Sequence, residues 1–141
     1  MLGLLVTGHG CFATGLNSGL EFIAGEQTNV VLVDFQADHS IETLKENLNR
    51  ALDELKEYDG VLILSYLRGG SPFKMAVECK NERPDQKIEV VSGTNLPLLV
   101  ACSTMASVFG SPVELADAMI QEGKDSIVRF DPASDRKFRF C

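Results

Sequence analysis

The sequence predicts one α/β domain built on a single doubly wound, mostly parallel sheet with helices on both faces. Two observations lead there. Short runs of valine, leucine and isoleucine are continuously apolar instead of alternating, as in strands covered on both faces. Segments of helical period separate these runs from end to end, and such alternation calls for parallel strands joined by right-handed crossovers. At 141 residues the chain suits one domain and can bury a sizeable core without staples.

Met1 to Thr7 is the first apolar run and reads as a buried strand ending at glycine. Phe12 to Ala24 follows as a helix with Phe12, Leu16, Leu20 and Ile23 on one side and Gly25 as its stop. Asn29 to Phe35 is the second strand. Ser40 is placed to cap a helix in which Ile41, Leu44, Leu48, Leu52 and Leu55 recur at helical spacing, with charges on the opposite face. Val61 to Leu67 is the third strand. Arg68 to Ser71 forms a loop, and Pro72 can open the next helix. Lys87 to Val91 is the fourth strand. Gly93-Thr94-Asn95 turns into an apolar helix from Leu96 to Phe109, and Gly110-Ser111-Pro112 leads to another from Val113 to Glu122. Ser126 to Phe130 reads as a last short strand. The domain spans 1–130. The tail 131–141, where Arg136, Lys137 and Arg139 interleave with Phe138 and Phe140, is either a loose end or a docking segment.

Composition narrows the function classes. A net charge of −7 argues against non-specific nucleic-acid binding, which needs a broad basic face. Of the four cysteines no two stand at C-x-x-C spacing, and there are two histidines, so no zinc site is expected. Cys79 and Cys102 fall on apolar helical faces and read as core. Scattered thiols suit a reducing cytoplasm. The opening run lacks a basic n-region and is interrupted by Gly8-His9-Gly10, so it does not read as a signal peptide, and no apolar stretch is long enough to span a membrane.

In an open parallel sheet, sites form beyond the carboxyl ends of the strands, at a switch in strand order. Two glycine-bearing loops follow strand ends here: Thr7-Gly8-His9-Gly10 and Arg68-Gly69-Gly70-Ser71-Pro72. If the first and third strands are neighbours, these loops face each other. Glycines on both sides of His9 let the chain turn sharply and let another molecule approach the ring. A neutral imidazole nitrogen is a nucleophile near neutral pH, and a phosphate on it would be favoured by nearby helix N-termini. Taken by spacing alone, His9 is equally well a loop histidine without chemistry, and the second loop reads more readily as a turn with a helix cap. His39 reads as a surface residue. No P-loop, Gly-x-Ser-x-Gly or Gly-x-Gly-x-x-Gly pattern occurs, which weakens a reading as a nucleotide- or flavin-binding domain.

Several segments, in order, resemble one family. Thr7-Gly8-His9-Gly10 is similar to the phosphorylation motif of mannose-family IIA domains of the bacterial sugar phosphotransferase system. Leu20 to Gln27 resembles that family's first-helix ending, Val33-Asp34-Phe35 its second strand end, Gly69-Gly70-Ser71-Pro72-Phe73 its glycine-rich loop, and Val91 to Pro97 its turn after the fourth strand. Each is modest alone; together they are specific, and the opening stretch is nearest the N-acetylgalactosamine branch.

The resemblance implies that the phosphocarrier protein HPr phosphorylates His9, on Nε2, and that the group passes to a histidine of a IIB partner. IIB would then serve a IIC/IID membrane permease. No cofactor or metal is implied. Gly8, Gly10, Gly69, Gly70 and Ser71 would cradle the phosphate, Asp34 would line the site, and Arg68 would contact the phosphate or help to dock a partner. The family forms homodimers in which the last strand, here Ser126 to Phe130, pairs with the other subunit's sheet. One residue departs from the pattern. The family carries an aspartate at the third strand end that orients the active histidine; this chain has Tyr66. A tyrosine hydroxyl can hydrogen-bond to the ring without a charge near neutral pH. The departure leaves a second reading open, a regulatory module of the same fold with weakened transfer.

Overall fold

The computed structural model describes residues 1–135. Four strands, β1 (Gly3–His9), β2 (Val30–Phe35), β3 (Val61–Leu64) and β4 (Ile88–Val91), form one sheet in the order β2-β1-β3-β4. Every pairing is parallel. Five helices surround the sheet: α1 (Phe12–Ala24), α2 (Ile41–Glu54), α3 (Ser71–Glu82), α4 (Leu96–Met105) and α5 (Pro112–Asp125). The chain leaves β1 for β2 on one side, then crosses back to β3 on the other. β1 and β3 are therefore adjacent, and the switch in order lies between their carboxyl ends.

Side chains leave β1 alternately toward two cores, because successive residues of a strand face opposite sides. Leu2, Leu4 and Val6 join the core under α1, α4 and α5. Leu5 joins the core under α2 and α3, with Leu44, Leu48, Leu52, Ala76 and Cys79. β1 and β3 are almost wholly buried, which accounts for their uninterrupted apolar sequences.

The helix starts are chemically marked. The Ser40 hydroxyl accepts from the Thr43 N–H at 3.0 Å, Asn95 Oδ1 from Leu98 N–H at 3.0 Å and Ser111 Oγ from Glu114 N–H at 3.2 Å, each satisfying a first-turn donor. Lys45 bridges α2 to α3 through Glu78 and Glu82, each at 2.7 Å, and Arg83 reaches back to Asp53 and Asn49.

Four boundaries differ from the sequence expectation. β1 continues through Gly8 and His9, which pair with Asp34 and Phe35, so His9 ends a strand instead of standing in a loop. β3 stops at Leu64, because the chain must turn there for the Ser65 and Tyr66 carbonyls to accept from Thr94 and Gly93 at the end of β4. α4 ends at Met105, short of Phe109. α5 instead runs to Asp125, and the segment after it, expected as a strand, pairs with no strand among the described residues. A strand needs a partner for its backbone groups; without one, Ile127, Val128 and Phe130 stand exposed. The basic and aromatic residues 136–141 lie outside the described residues.

Candidate functional site

The carboxyl end of β1 brings a half-buried His9 to the rim of the sheet on the α2/α3 side, in line with Leu5 and Thr7. Gly10, at φ 61°, turns the chain sharply after it, and its N–H is tied to the Phe35 carbonyl at 2.7 Å. The glycine-rich loop arrives from β3. Gly69, at φ 83°, makes its turn, and Gly70 lies so close to the imidazole that a β-carbon there would sit 3.0 Å from His9 Cε1. The two loops singled out in the sequence therefore meet at the switch between β1 and β3.

Tyr66 sets the imidazole. Its hydroxyl is 2.9 Å from His9 Nδ1 and also accepts from the His9 backbone N–H at 3.2 Å. The tyrosine ring is itself stacked on Phe12, with centroids 4.1 Å apart and planes 21° from parallel. Phe35 flanks the imidazole from β2 at a centroid distance of 5.8 Å. No other hydrogen bond to the imidazole occurs among the described residues, so Nε2 carries none.

Gly70 caps α3 without a side-chain hydrogen bond, and Ser71 and Pro72 open the helix. The first-turn N–H groups of a helix have no partner inside it, and Pro72 removes one of them, so the N–H groups of Ser71 and Phe73 remain as donors at the end of α3 that follows Gly70. This end favours an anion.

Not every residue expected at the site behaves alike. Gly8 is buried and faces away from the imidazole toward Phe12. Asp34 spends both carboxylate oxygens on Thr14, accepting from its N–H at 3.1 Å and its hydroxyl at 2.5 Å, and so holds the first turn of α1 against β2. It acts as a cap for α1, where a carboxylate complements the helix dipole. Arg68 is exposed on the loop and lines a cavity of about 540 Å³ with Phe73, Ser92, Asn95 and Lys124. His39 lies apart, its Nδ1 accepting from the Gln36 N–H. No three metal-ligating side chains converge among the described residues.

Sequence reasoning missed Phe12 and Thr14. Phe12 was read as one more apolar position of α1. The signal that marks it is its place immediately after Gly10-Cys11, at the first residue of α1, where its ring reaches the rim of the sheet.

The relatives fix the family. Residues 3–120 match the family model described as PTS system fructose IIA component. The chain belongs to the mannose-family IIA components of the sugar phosphotransferase system. It is 34% identical over 100 residues to the PTS system fructose-specific EIIA component of Bacillus subtilis (strain 168), covering 71% of this chain and 67% of that one. Against the PTS system mannose-specific EIIAB component of Escherichia coli (strain K12) the identity is 32% over 126 residues, 89% of this IIA chain but only 38% of that longer protein. The fold agrees with solved relatives. The phosphotransferase system component EIIA from Streptococcus agalactiae superposes with a TM-score of 0.86 at 33% identity, covering 92% of this chain and 98% of the other. The mannose/sorbose specific IIA subunit from Enterococcus faecalis gives 0.81 at 25%, covering 92% and 94%. This IIA component is thus a phosphotransferase component of sugar uptake. No described helix is long and apolar enough to cross a membrane.

Proposed function

We propose that His9 is the phosphoryl acceptor, taking the group from phospho-HPr on Nε2 and passing it to a histidine of the cognate IIB protein. The observation that carries this reading is the division of the imidazole at the rim of the sheet: Nδ1 is engaged by Tyr66 at 2.9 Å, and Nε2 has no partner among the described residues. Transfer between two imidazoles asks for positioning and charge stabilisation more than for covalent help. Tyr66 fixes ring orientation. The N–H groups at the start of α3 and the Ser71 hydroxyl receive the phosphoryl oxygens, and the close approach of Gly70 lets the ring reach them. Gly10 and Gly69 supply the turns, and Gly8 admits Phe12. Arg68 meets the phosphoryl group or the partner that brings it.

The test is labelling. Incubation with phosphoenolpyruvate and the general carriers, ending in HPr, should place an acid-labile phosphate on this chain, and added IIB should remove it. Label that persists in His9→Ala would place the acceptor elsewhere, and an unlabelled wild-type chain would refute the carrier role.

The same reading takes this chain as a cytoplasmic homodimer that serves a IIC/IID permease through IIB. The support for a dimer is the outer edge of β4, unpaired among the described residues, together with the exposed Ile127, Val128 and Phe130 after α5, which suit pairing with the partner's sheet. Light scattering on Ile127→Asp/Val128→Asp, expected to be monomeric, tests it. The opening stretch resembles the N-acetylgalactosamine branch, and sugar uptake by a strain lacking this chain identifies the cargo. The regulatory alternative gains nothing from relatives named as transport components.

A further inference from the structure

We propose that the Tyr66 hydroxyl is a reversible proton partner for His9 Nδ1, accepting a hydrogen bond before phosphoryl transfer and donating one to the deprotonated phosphoimidazole afterwards, so that the group rests on an uncharged ring. This rests on the reading of His9 as acceptor and assigns its second-nitrogen chemistry.

The hydroxyl's hydrogen-bonding inventory carries the argument. A tyrosine oxygen offers one donor and two acceptor sites. The His9 backbone N–H takes one acceptor site at 3.2 Å. One acceptor and the donor remain, and both serve Nδ1 at 2.9 Å by rotation of the O–H alone. A carboxylate in this place is acceptor-only, so it would satisfy the ring only while Nδ1 keeps its proton. The stacked Phe12 holds the phenol in place, so the exchange of roles needs no movement of heavy atoms.

The step balances as follows. The Nε2 lone pair of neutral, Nδ1-protonated His9 attacks phosphorus of a phosphohistidine donor, and the donor's N–P bond breaks with its electron pair returning to the donor nitrogen. His9 is then a phosphoimidazolium whose Nδ1–H bonds to the Tyr66 oxygen. Loss of the Nδ1 proton to solvent leaves a neutral phosphoimidazole with a bare Nδ1, to which the Tyr66 O–H turns and donates. An N–P bond breaks more readily from the protonated ring, which departs as neutral imidazole, than from the neutral ring, which would depart as imidazolate. Tyrosine therefore favours the longer-lived form, and aspartate would favour the reactive one.

The other ionisable groups on the elements around the imidazole are Cys11 before α1 and Glu21 on it, Asp34 on β2, His39 after β2, Arg68 in the loop, and Lys74, Glu78, Cys79, Lys80 and Glu82 on α3. None of them hydrogen-bonds to the ring, and Asp34 is occupied by Thr14.

The experiment uses phosphoramidate as a direct phosphoryl donor, so it does not depend on HPr or IIB. Loss of label to water is followed from mildly acidic to mildly alkaline pH in wild type, Tyr66→Phe and Tyr66→Asp, with nitrogen-15 NMR of the His9 ring. Wild type should hold its label about fivefold longer than either variant on the alkaline side, as expected for one neutral hydrogen bond, and all three should converge in acid. The Nδ1 resonance of alkaline phosphorylated wild type should show a hydrogen-bonded acceptor nitrogen, and Tyr66→Phe an unbonded one. If Tyr66→Phe matches wild type in lifetime, pH profile and Nδ1 shift, the proposal is overturned while the acceptor role stands. If neither phosphoramidate nor phospho-HPr labels His9, both fall; label obtained from phospho-HPr alone is followed through the same pH series and variants. Should phosphoramidate label His9 while HPr does not, the carrier role alone fails, and the pH profile still decides the Tyr66 role.

Discussion

Gly8 leaves no room for a side chain beside Phe12: a β-carbon there would lie 2.5 Å from the Phe12 ring. Phe12 in turn stacks on Tyr66, and Tyr66 holds His9. Gly8→Ala should push Phe12 off the tyrosine, destabilise the fold by about 1–3 kcal/mol and reduce phosphorylation of His9. Adding Phe12→Leu should not restore the stability, because leucine keeps the Cβ and Cγ that lie 2.9 and 2.8 Å from the added β-carbon. Urea melts and label uptake on the single and double variants check the two effects separately.

Gly70 and Gly69 offer a contrast within one loop. Gly70 has ordinary backbone angles but lies against His9 Cε1, whereas Gly69 has open space and φ 83°. Gly70→Ala should slow labelling with little loss of stability. Gly69→Ala should cost about 1 kcal/mol through backbone strain. The comparison is between initial labelling rates and thermal melts of the two variants.

His9→Ala should abolish the acid-labile label and leave stability within about 0.5 kcal/mol of wild type, as expected for a half-buried residue at the rim. Circular dichroism and a thermal melt accompany the labelling assay; joint loss of fold and label would mean that the imidazole was structural.

Cys102 is fully buried on the core face of α4, and burial pushes its thiol up to about 12 from about 9. Burial raises Cys79 in the same direction. Above about pH 9 the unfolded chain gives up these protons while the folded chain keeps them, so stability is complete below that pH and declines toward about pH 12. Cys102→Ala should flatten the decline. Urea midpoints at neutral and alkaline pH, in a Cys11→Ser background, provide the measurement.

Asn95 joins two helices. Its Oδ1 caps α4 at Leu98 N–H, and its Nδ2 donates to the Gly123 carbonyl at 3.0 Å near the end of α5. Asn95→Ala should cost about 1–2 kcal/mol, more than Ser111→Ala, which removes a cap alone. Chemical denaturation of both variants decides it.

The sheet was legible because β1 and β3 are buried on both faces and carry apolar residues without a break. The site was legible in outline because two glycine loops follow strands that turned out to be neighbours. Three features escaped. His9 read as a loop residue because glycines end strands by propensity, yet here Gly8 stays in the ladder opposite Asp34. Asp34 read as part of the site, but its carboxylate is tied to Thr14, a partner twenty positions away that no local pattern reveals. Ser126 to Phe130 has strand-forming residues, but pattern does not supply a neighbour, and the described residues provide none.

The imidazole belongs to one layer of the molecule and its keeper to the other. His9 rises on the α2/α3 side of the sheet, whereas Phe12, which steadies Tyr66, packs with the core beneath α1, α4 and α5. The phenol spans the end of β1 and links the two halves at one point. A repacking of that core that shifts Phe12 would therefore reach the imidazole through the phenol.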